Sequence, residues 1–513
     1  MTLRDIADVS VPEQRERLSR WVARRAGAPA VLRETHVSIL AFTEDRVWKC
    51  KKAVRFPFVD LSTAALRLRN CEREVALNRR LAPDVYLGVV PLQDDVGAVV
   101  DHLVEMRRLP DESRLASIAG RDTTAGGSCV DATADFLAGF HERARAGADI
   151  DRSATPRAVR DLWEENLREV AGFAGRVLDP GLLERVGTDA RRYVAGRGAL
   201  LADRIARGRI RDGHGDLLAD DIFCLSDGPR VLDCLEFDDH LRYGDVLGDL
   251  AFLAMDLERL GRRDLAERLL DRYRQKSGDR WPASLEHFYV AYRALVRAKV
   301  ACLRVSDDPA AANAAHELLA LSAAHLEQAR VQLVLIGGPP ATGKTTLSAA
   351  LACATGWPVL HSDDVRKQLA GIAPTSAAPA PLDRGLYSKS WDDRTYGALL
   401  ERAREQLEHG NSVILDASWS SSDHRSRAEA LAAGTASDLS AFRCDVAPAI
   451  ADARATTRSS IGRDASDAGP TITAELRARF DPWPGAEVVE TTQPPDILVR
   501  LTLRRLQRAA TRT

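Results

Sequence analysis

The chain has 513 residues, 45% hydrophobic and 28% charged, with 72 basic against 74 acidic side chains and a formal net charge of −2. That composition supports packed cores in about two to four domains and excludes both wholesale disorder and the basic footprint of bulk nucleic-acid binding. Only eight of the basic residues are lysines (49, 51, 52, 276, 299, 344, 367 and 389), so each lysine is conspicuous against an arginine background.

In chain order, the opening MTLRDIADVS lacks the basic and apolar regions of a signal peptide, and no apolar run is long enough to predict a membrane span. The eight cysteines (50, 71, 129, 224, 234, 302, 353 and 444) form no CxxC pair. Neither a structural zinc site nor a disulfide framework is therefore expected, and reduced thiols in a cytoplasmic protein are the default. Residues 35–52 alternate around TEDR as a hairpin does. Residues 62–82 carry apolar positions at helical spacing, with Ser62 as the expected cap. GVVPL and AVVDHLVEM read as strands, and about 131–208 reads as helical. A β-rich island at 209–238 follows, with strands at IFCL and RVLDCLEF around SDGPR. On that second strand Asp233 and Glu236 would fall on opposite faces, because their spacing is odd. Residues 246–330 read as helical.

At 331 the pattern changes. VQLVLI and VILD (413–416) are continuous apolar runs, as in strands buried on both faces, and helical patterns alternate with them. This predicts a doubly wound parallel α/β domain over 329–513, after a first domain over 1–328. The first domain would divide at about 110 into a lobe of 30–110 and a helical lobe of 111–328. Gly- and Pro-rich stretches at 373–381 and 481–495 read as loops.

Gly338-Pro339-Pro340-Ala341-Thr342-Gly343-Lys344-Thr345 fits G-x4-GK[ST], with a strand before it and the helical pattern from Thr346 after it. The glycines let consecutive N–H groups face a phosphate, Lys344 reaches the β and γ phosphates, and the Thr345 hydroxyl is a Mg²⁺ ligand. Downstream, HSDDVRKQL places Asp363 where a carboxylate can accept a hydroxyl proton, and Arg366 where it can hold an anionic substrate group. Ser362 or Asp363 could equally cap a helix. Asp416, ending VILD, is a candidate Mg²⁺ carboxylate or a plain strand-end residue. Arg454, Arg458 and Arg463 could close over ATP or lie on the surface.

The segment 331–505 resembles the small P-loop kinases that include gluconate kinases, polynucleotide 5′-kinases and zeta-toxin-like kinases. The resemblance is carried by GGPPATGKTTL, HSDDVRKQL, AREQLEHGNSVILDASW and the 454–468 segment with its SDA. It implies Asp363 as base, Arg366 as substrate contact and Arg458 as a lid residue.

The segment 30–325 resembles aminoglycoside phosphotransferases and their protein-kinase-like relatives, through HGDLLADD at 214–221, VLDCLEF, Gly244-Asp245 and Asp249-Leu250-Ala251. The resemblance implies a two-lobed kinase-like fold. Asp216 would be the base, and Asp221 and Glu236 the metal ligands. Lys49 in VWKCKK, with Lys51 on the same face, would pair with Glu74, and Met106 in VEMRRLP would mark the adenine hinge. Asp221 stands where the family has Asn, Glu236 where it has Asp, and ETHVSILAF lacks a Gly-rich phosphate loop. The histidines, including His141 and His214, read as structural. The whole resembles a bacterial fusion of the two kinase types. It implies an ATP- and Mg²⁺-dependent phosphotransferase acting on a small-molecule hydroxyl, with two nucleotide sites. The alternatives are a regulatory ATP-binding protein, or a single active P-loop kinase with a degenerate partner domain. No membrane or bulk nucleic-acid partner is expected.

Overall fold

The computed structural model describes residues 10–27, 29–56, 59–121, 123–373, 385–461 and 475–510. The chain groups into two compact units. The first comprises 1–159, 204–280 and 289–319, and the second 160–203, 281–288 and 320–513. The helical segments 160–203, 281–288 and 320–328 thus group with the P-loop unit, which differs from the single cut expected at 328/329.

In the first unit, β1 (Val31–Glu34), β2 (Ser38–Phe42), β3 (Arg46–Lys51), β4 (Tyr86–Gln93) and β5 (Val99–Arg107) form an antiparallel sheet in the order β1-β2-β3-β5-β4. Strand alternation gives it two apolar faces. One packs Ile39, Ala41, Trp48, Cys50 and Leu103 against Leu18, Trp21 and Val22 of the helix Val11–Ala26. That helix, missing from the sequence reading, is capped by Ser10 and ended by left-handed Gly27. The other face packs Val47, Val104 and Met106 against Cys71 and Val75 of the helix Ala64–Asn78. Thr63, not Ser62, caps this second helix, accepting from Leu66 N. Because Val47 faces that helix, Lys49 and Lys51 do so too.

Two short ribbons follow: Ile210–Asp212 with Tyr243–Asp245, and Ile222–Leu225 with Gly228–Val231. The expected strand through Glu236 stops at Val231, because Asp233 adopts a left-handed φ of 62°. Cys129 and Cys224 form a disulfide with Cα atoms 5.9 Å apart, contrary to the expectation of unpaired thiols. Their sequence separation of 95 leaves no local motif to read.

In the second unit, β6 (Gln332–Gly337), β7 (Val359–His361), β8 (Val413–Asp416), β9 (Asp438–Asp445) and β10 (Glu487–Glu490) form a parallel sheet in the order β7-β8-β6-β9-β10. Every residue of β6 and β8 is buried, as the continuous apolar runs require. Leu333, Leu335, Val413 and Leu415 face the helices Lys389–Glu408 and Ser422–Gly434. Val334, Ile336 and Ile414 face Lys344–Thr355 and Pro495–Ala510. The stretch 481–495, expected as a loop, contains the edge strand β10. Most of 373–381 lies outside the described residues.

Candidate active sites

The second unit's site lies at the carboxyl ends of β6, β7 and β8, where chain order reverses about β6. Such switch points open the crevice in which doubly wound sheets bind ligands. Ile336, His361 and Asp416 stand in register across the three strands, so the loop after β6, the helix after β7 and the last residue of β8 converge. Gly338 has φ +130° and Gly343 φ +90°. A Cβ on Gly338 would meet the Cys444 carbonyl oxygen at 2.4 Å. Glycine is therefore required there both by conformation and by the closeness of β9. Lys344 Nζ donates to Pro339 O at 2.9 Å, and Thr342 Oγ1 donates to the same carbonyl at 2.8 Å. Thr345 and Thr346 are exposed on the first turn of the following helix.

The helix Ser362–Leu369 starts after His361, with no side-chain capping bond. Asp363 is therefore not its cap. Instead its carboxylate accepts from Arg366 Nη1 at 2.8 Å, while Arg366 Nη2 donates to Asp392 at 2.7 Å. Burial raises the Asp363 carboxyl above its ordinary value against the opposing pull of Arg366 and Lys344. Asp416 is buried and accepts from Ser348 Oγ at 3.2 Å, and its Oδ2 lies 2.9 Å from His361 Nδ1. The hydrogen bond to Asp416 raises the His361 imidazole. Arg454 donates to Thr491 O at 2.8 Å, and Thr491 in turn bonds the Thr342 carbonyl, which puts this arginine behind the cradle. Arg458 lies on the helix Pro448–Ile461, but its side chain, Arg463 and 466–468 lie outside the described residues. Asp392 and Thr491 had no motif to mark them, and His361 opens the HSDDVRKQL motif without a role assigned to it there.

In the first unit, Lys49 Nζ lies 2.9 Å from Glu74 Oε1 and 2.7 Å from Asp233 Oδ1. Lys51 Nζ lies 2.5 Å from Glu74 Oε2 and 2.6 Å from Glu236 Oε1. Two lysines thus share one fully buried glutamate. This corrects the reading of Glu236 as a metal ligand: its carboxylate is committed to buried Lys51. Asp233 occupies the open position, its side chain 52% exposed, and Lys49 draws its carboxyl down to about 2. The left-handed turn at Asp233 is what lets residues 233 and 236 both reach the lysine face. Met106 also moves. It lies inside β5, buried among Val47, Val75, Tyr86 and Leu109, and the chain leaves the sheet only after Arg107.

The His214-Gly215-Asp216 loop is tied down by Asp249, which accepts from His214 N at 2.6 Å and Gly215 N at 3.0 Å. Asp249 is approached in turn by His141 Nε2 at 3.3 Å, and His141 Nδ1 by Tyr273 at 3.0 Å. Both histidines therefore act as braces. Arg293 donates to Gly215 O at 3.2 Å, and Arg297 lies 4.0 Å from Asp216. Burial raises Asp216 to about 6, opposed by Arg297. Asp221 is raised well above the carboxylate range, first by burial and then by Asp233 and Asp216. Asp216, Asp221 and Asp233 thus act on one another as like charges. Among the described residues no group of three or more His, Cys, Asp or Glu is placed to hold a metal ion. Likewise, no described helix is long and apolar enough to cross a membrane.

A family profile described as an AAA domain matches residues 333–483, from β6 to Trp483 before β10. Among solved structures, a choline/ethanolamine kinase family protein from Mesorhizobium loti is 15% identical, with a TM-score of 0.38, covering 61% of this chain and 98% of its own. A gluconokinase from Sinorhizobium meliloti is 18% identical, with a TM-score of 0.27, covering 36% and 94%. Uncharacterized protein Rv2004c of Mycobacterium tuberculosis and Uncharacterized protein Mb2027c of Mycobacterium bovis are each 43% identical over 464 residues, 90% of this chain and 92% of theirs. The chain belongs to the same family as these mycobacterial proteins, and it carries a P-loop domain of the AAA class in its C-terminal region.

Proposed function

We propose that the protein is an ATP- and Mg²⁺-dependent phosphotransferase acting on the hydroxyl of a small molecule, with its principal site at the P-loop and a second nucleotide site in the first unit. The observation that carries this reading is the register of Ile336, His361 and Asp416, which brings the loop 338–343, Asp363 and Asp416 to the carboxyl end of the sheet. The 338–345 backbone and Lys344 bind the phosphates of ATP. Asp363, its carboxyl raised by burial above its ordinary value, accepts the proton of the acceptor hydroxyl. The acceptor oxygen then bonds to the γ-phosphorus, the β–γ bridging P–O bond breaks, and ADP leaves with the bridging oxygen. Thr345 and Asp416 would hold Mg²⁺, which neutralises phosphate charge when bound. In the first unit, Lys49 and Glu74 would position phosphates, Asp216 would serve as base, and Asp221 with Asp233 would hold the cation.

The test is phosphoryl transfer from labelled ATP to a panel of polyols, sugars, aminoglycosides and nucleosides. Lys344→Ala, Asp363→Asn and Asp216→Asn would be run beside the unaltered chain. Each substitution removes a group that acts in the transition state, so the expected loss at the affected site is about 10²–10³ in rate. Transfer that survives all three unchanged would sink the proposal.

A further inference from the structure

The acceptor side of the P-loop is organised around Arg366, the residue expected to receive an anionic group. Arg366 is 8% exposed, and both terminal nitrogens are engaged, by Asp363 at 2.8 Å and Asp392 at 2.7 Å. One cation therefore faces two carboxylates. Asp393 adds a third, which acts on Asp392 and lies 3.1 Å from His424 Nε2. These carboxylates remain partly open, their side chains 36%, 39% and 49% exposed. Of the other cations acting on Asp363, Lys344 sits on the phosphate loop and Lys367 contributes least. Burial already raises both Asp363 and Asp392. A carboxylate or phosphate on the acceptor would set like charge against Asp363 and Asp392, whose one shared guanidinium is already engaged by both. Hydroxyl or ammonium donors have the opposite effect.

We infer that the acceptor carries no anionic group: it is a neutral or cationic polyol, held by hydrogen bonds it donates to Asp363, Asp392 and Asp393. Arg366 is then a positioning residue for Asp363 rather than an anion receptor. This inference rests on the P-loop reading, and its bond changes are those already given.

The test uses the full chain loaded with Mg²⁺ and a non-hydrolysable ATP analogue, titrated with inorganic sulfate and with gluconate. Arg366→Gln and Asp392→Asn are compared with the unaltered protein. The expected result is that the unaltered chain and Arg366→Gln bind each anion within about twofold of one another. Asp392→Asn, which removes one negative charge and releases one Arg366 nitrogen, gains at least about tenfold, since like-charge juxtaposition costs several kcal/mol. Anion binding to the unaltered chain that Arg366→Gln removes would overturn the inference, and so would an Asp392→Asn protein that gains none. Loading of the analogue is checked separately against Lys344→Ala. Loss of that dependence would remove the P-loop reading while leaving the anion comparison to decide the charge question.

Discussion

At Asp216 burial and Arg297 act in opposite directions, and burial prevails, so the carboxyl titrates at about 6 rather than 3.8. A base must be ionised to accept a proton. Transfer by the first unit, measured in a Lys344→Ala background, should therefore fall as pH drops through about 6. Arg297→Ala removes the opposing cation and should shift that limb to higher pH. The same shift has a stability consequence of definite sign. The folded chain holds this proton more tightly than the unfolded chain does, so the cost of ionising Asp216 is absent below about pH 3.8 and complete above about pH 6. Asp216→Asn should thus stabilise the protein at pH 7 by ~1 kcal/mol, modest because the side chain is 39% exposed, and not at all near pH 3.5. Urea midpoints at the two pH values measure this. Gly338 makes a second residue-scale case. Alanine there would put Cβ 2.4 Å from the Cys444 carbonyl oxygen, a backbone atom of β9 that no rotamer change relieves. Gly338→Ala should cost ~1–3 kcal/mol and abolish nucleotide binding at the P-loop. Gly356 has φ +72° and open space around its Cβ direction, so Gly356→Ala should cost ~1 kcal/mol and leave binding intact.

Between β3, the helix Ala64–Asn78 and the turn after Val231, four ion-pair contacts link Asp233, Lys49, Glu74, Lys51 and Glu236. Lys51 and Glu74 are fully buried, so removing one partner strands charge in a low-dielectric site. Glu236→Leu alone should cost ~3 kcal/mol, whereas Lys51→Met with Glu236→Leu should recover most of that loss. A double-mutant cycle on unfolding free energy checks it, and additivity of the two changes would show that the pair is not coupled. What was legible in the sequence at this scale follows from range. The cradle is eight consecutive residues with a strand before and a helix after, so its geometry is local. β6 and β8 announce themselves as apolar runs because both faces are covered. Lys49 and Glu74 were paired through family resemblance. By contrast, Glu236 reaches Lys51 across 185 positions, and Asp392 reaches Arg366 across 26 with no motif between. Asp233 escapes strand periodicity through one left-handed residue, which no alternation pattern records. Strand β10 is four residues long and mostly exposed, too short to stand out from its Pro- and Gly-rich flanks.

At the scale of the molecule, each compact unit supplies its own lysine, its own carboxylates and its own anchored loop. Of the residues proposed to act on nucleotide, Lys344, Asp363 and Asp416 belong to the second unit, and Lys49, Glu74, Asp216 and Asp233 to the first. Nucleotide occupancy should therefore be additive. Calorimetric titration with Mg²⁺ and a non-hydrolysable ATP analogue should give two sites on the unaltered chain. Lys344→Ala should leave one, and Asp233→Ala should leave the other. Lys344 meets phosphate as a point charge whose loss is typically worth about 10²-fold or more. Asp233 is the open carboxylate beside Lys49, and its removal takes away half of the proposed cation-binding pair while leaving the Glu74 contacts in place. The double variant should bind none. Each variant must first show an unfolding midpoint close to that of the unaltered chain, so that lost sites are not lost protein. A single site on the unaltered chain that Lys344→Ala abolishes would leave the first unit without a nucleotide role. A single site abolished by Asp233→Ala instead would move the proposed nucleotide site from the P-loop to the first unit.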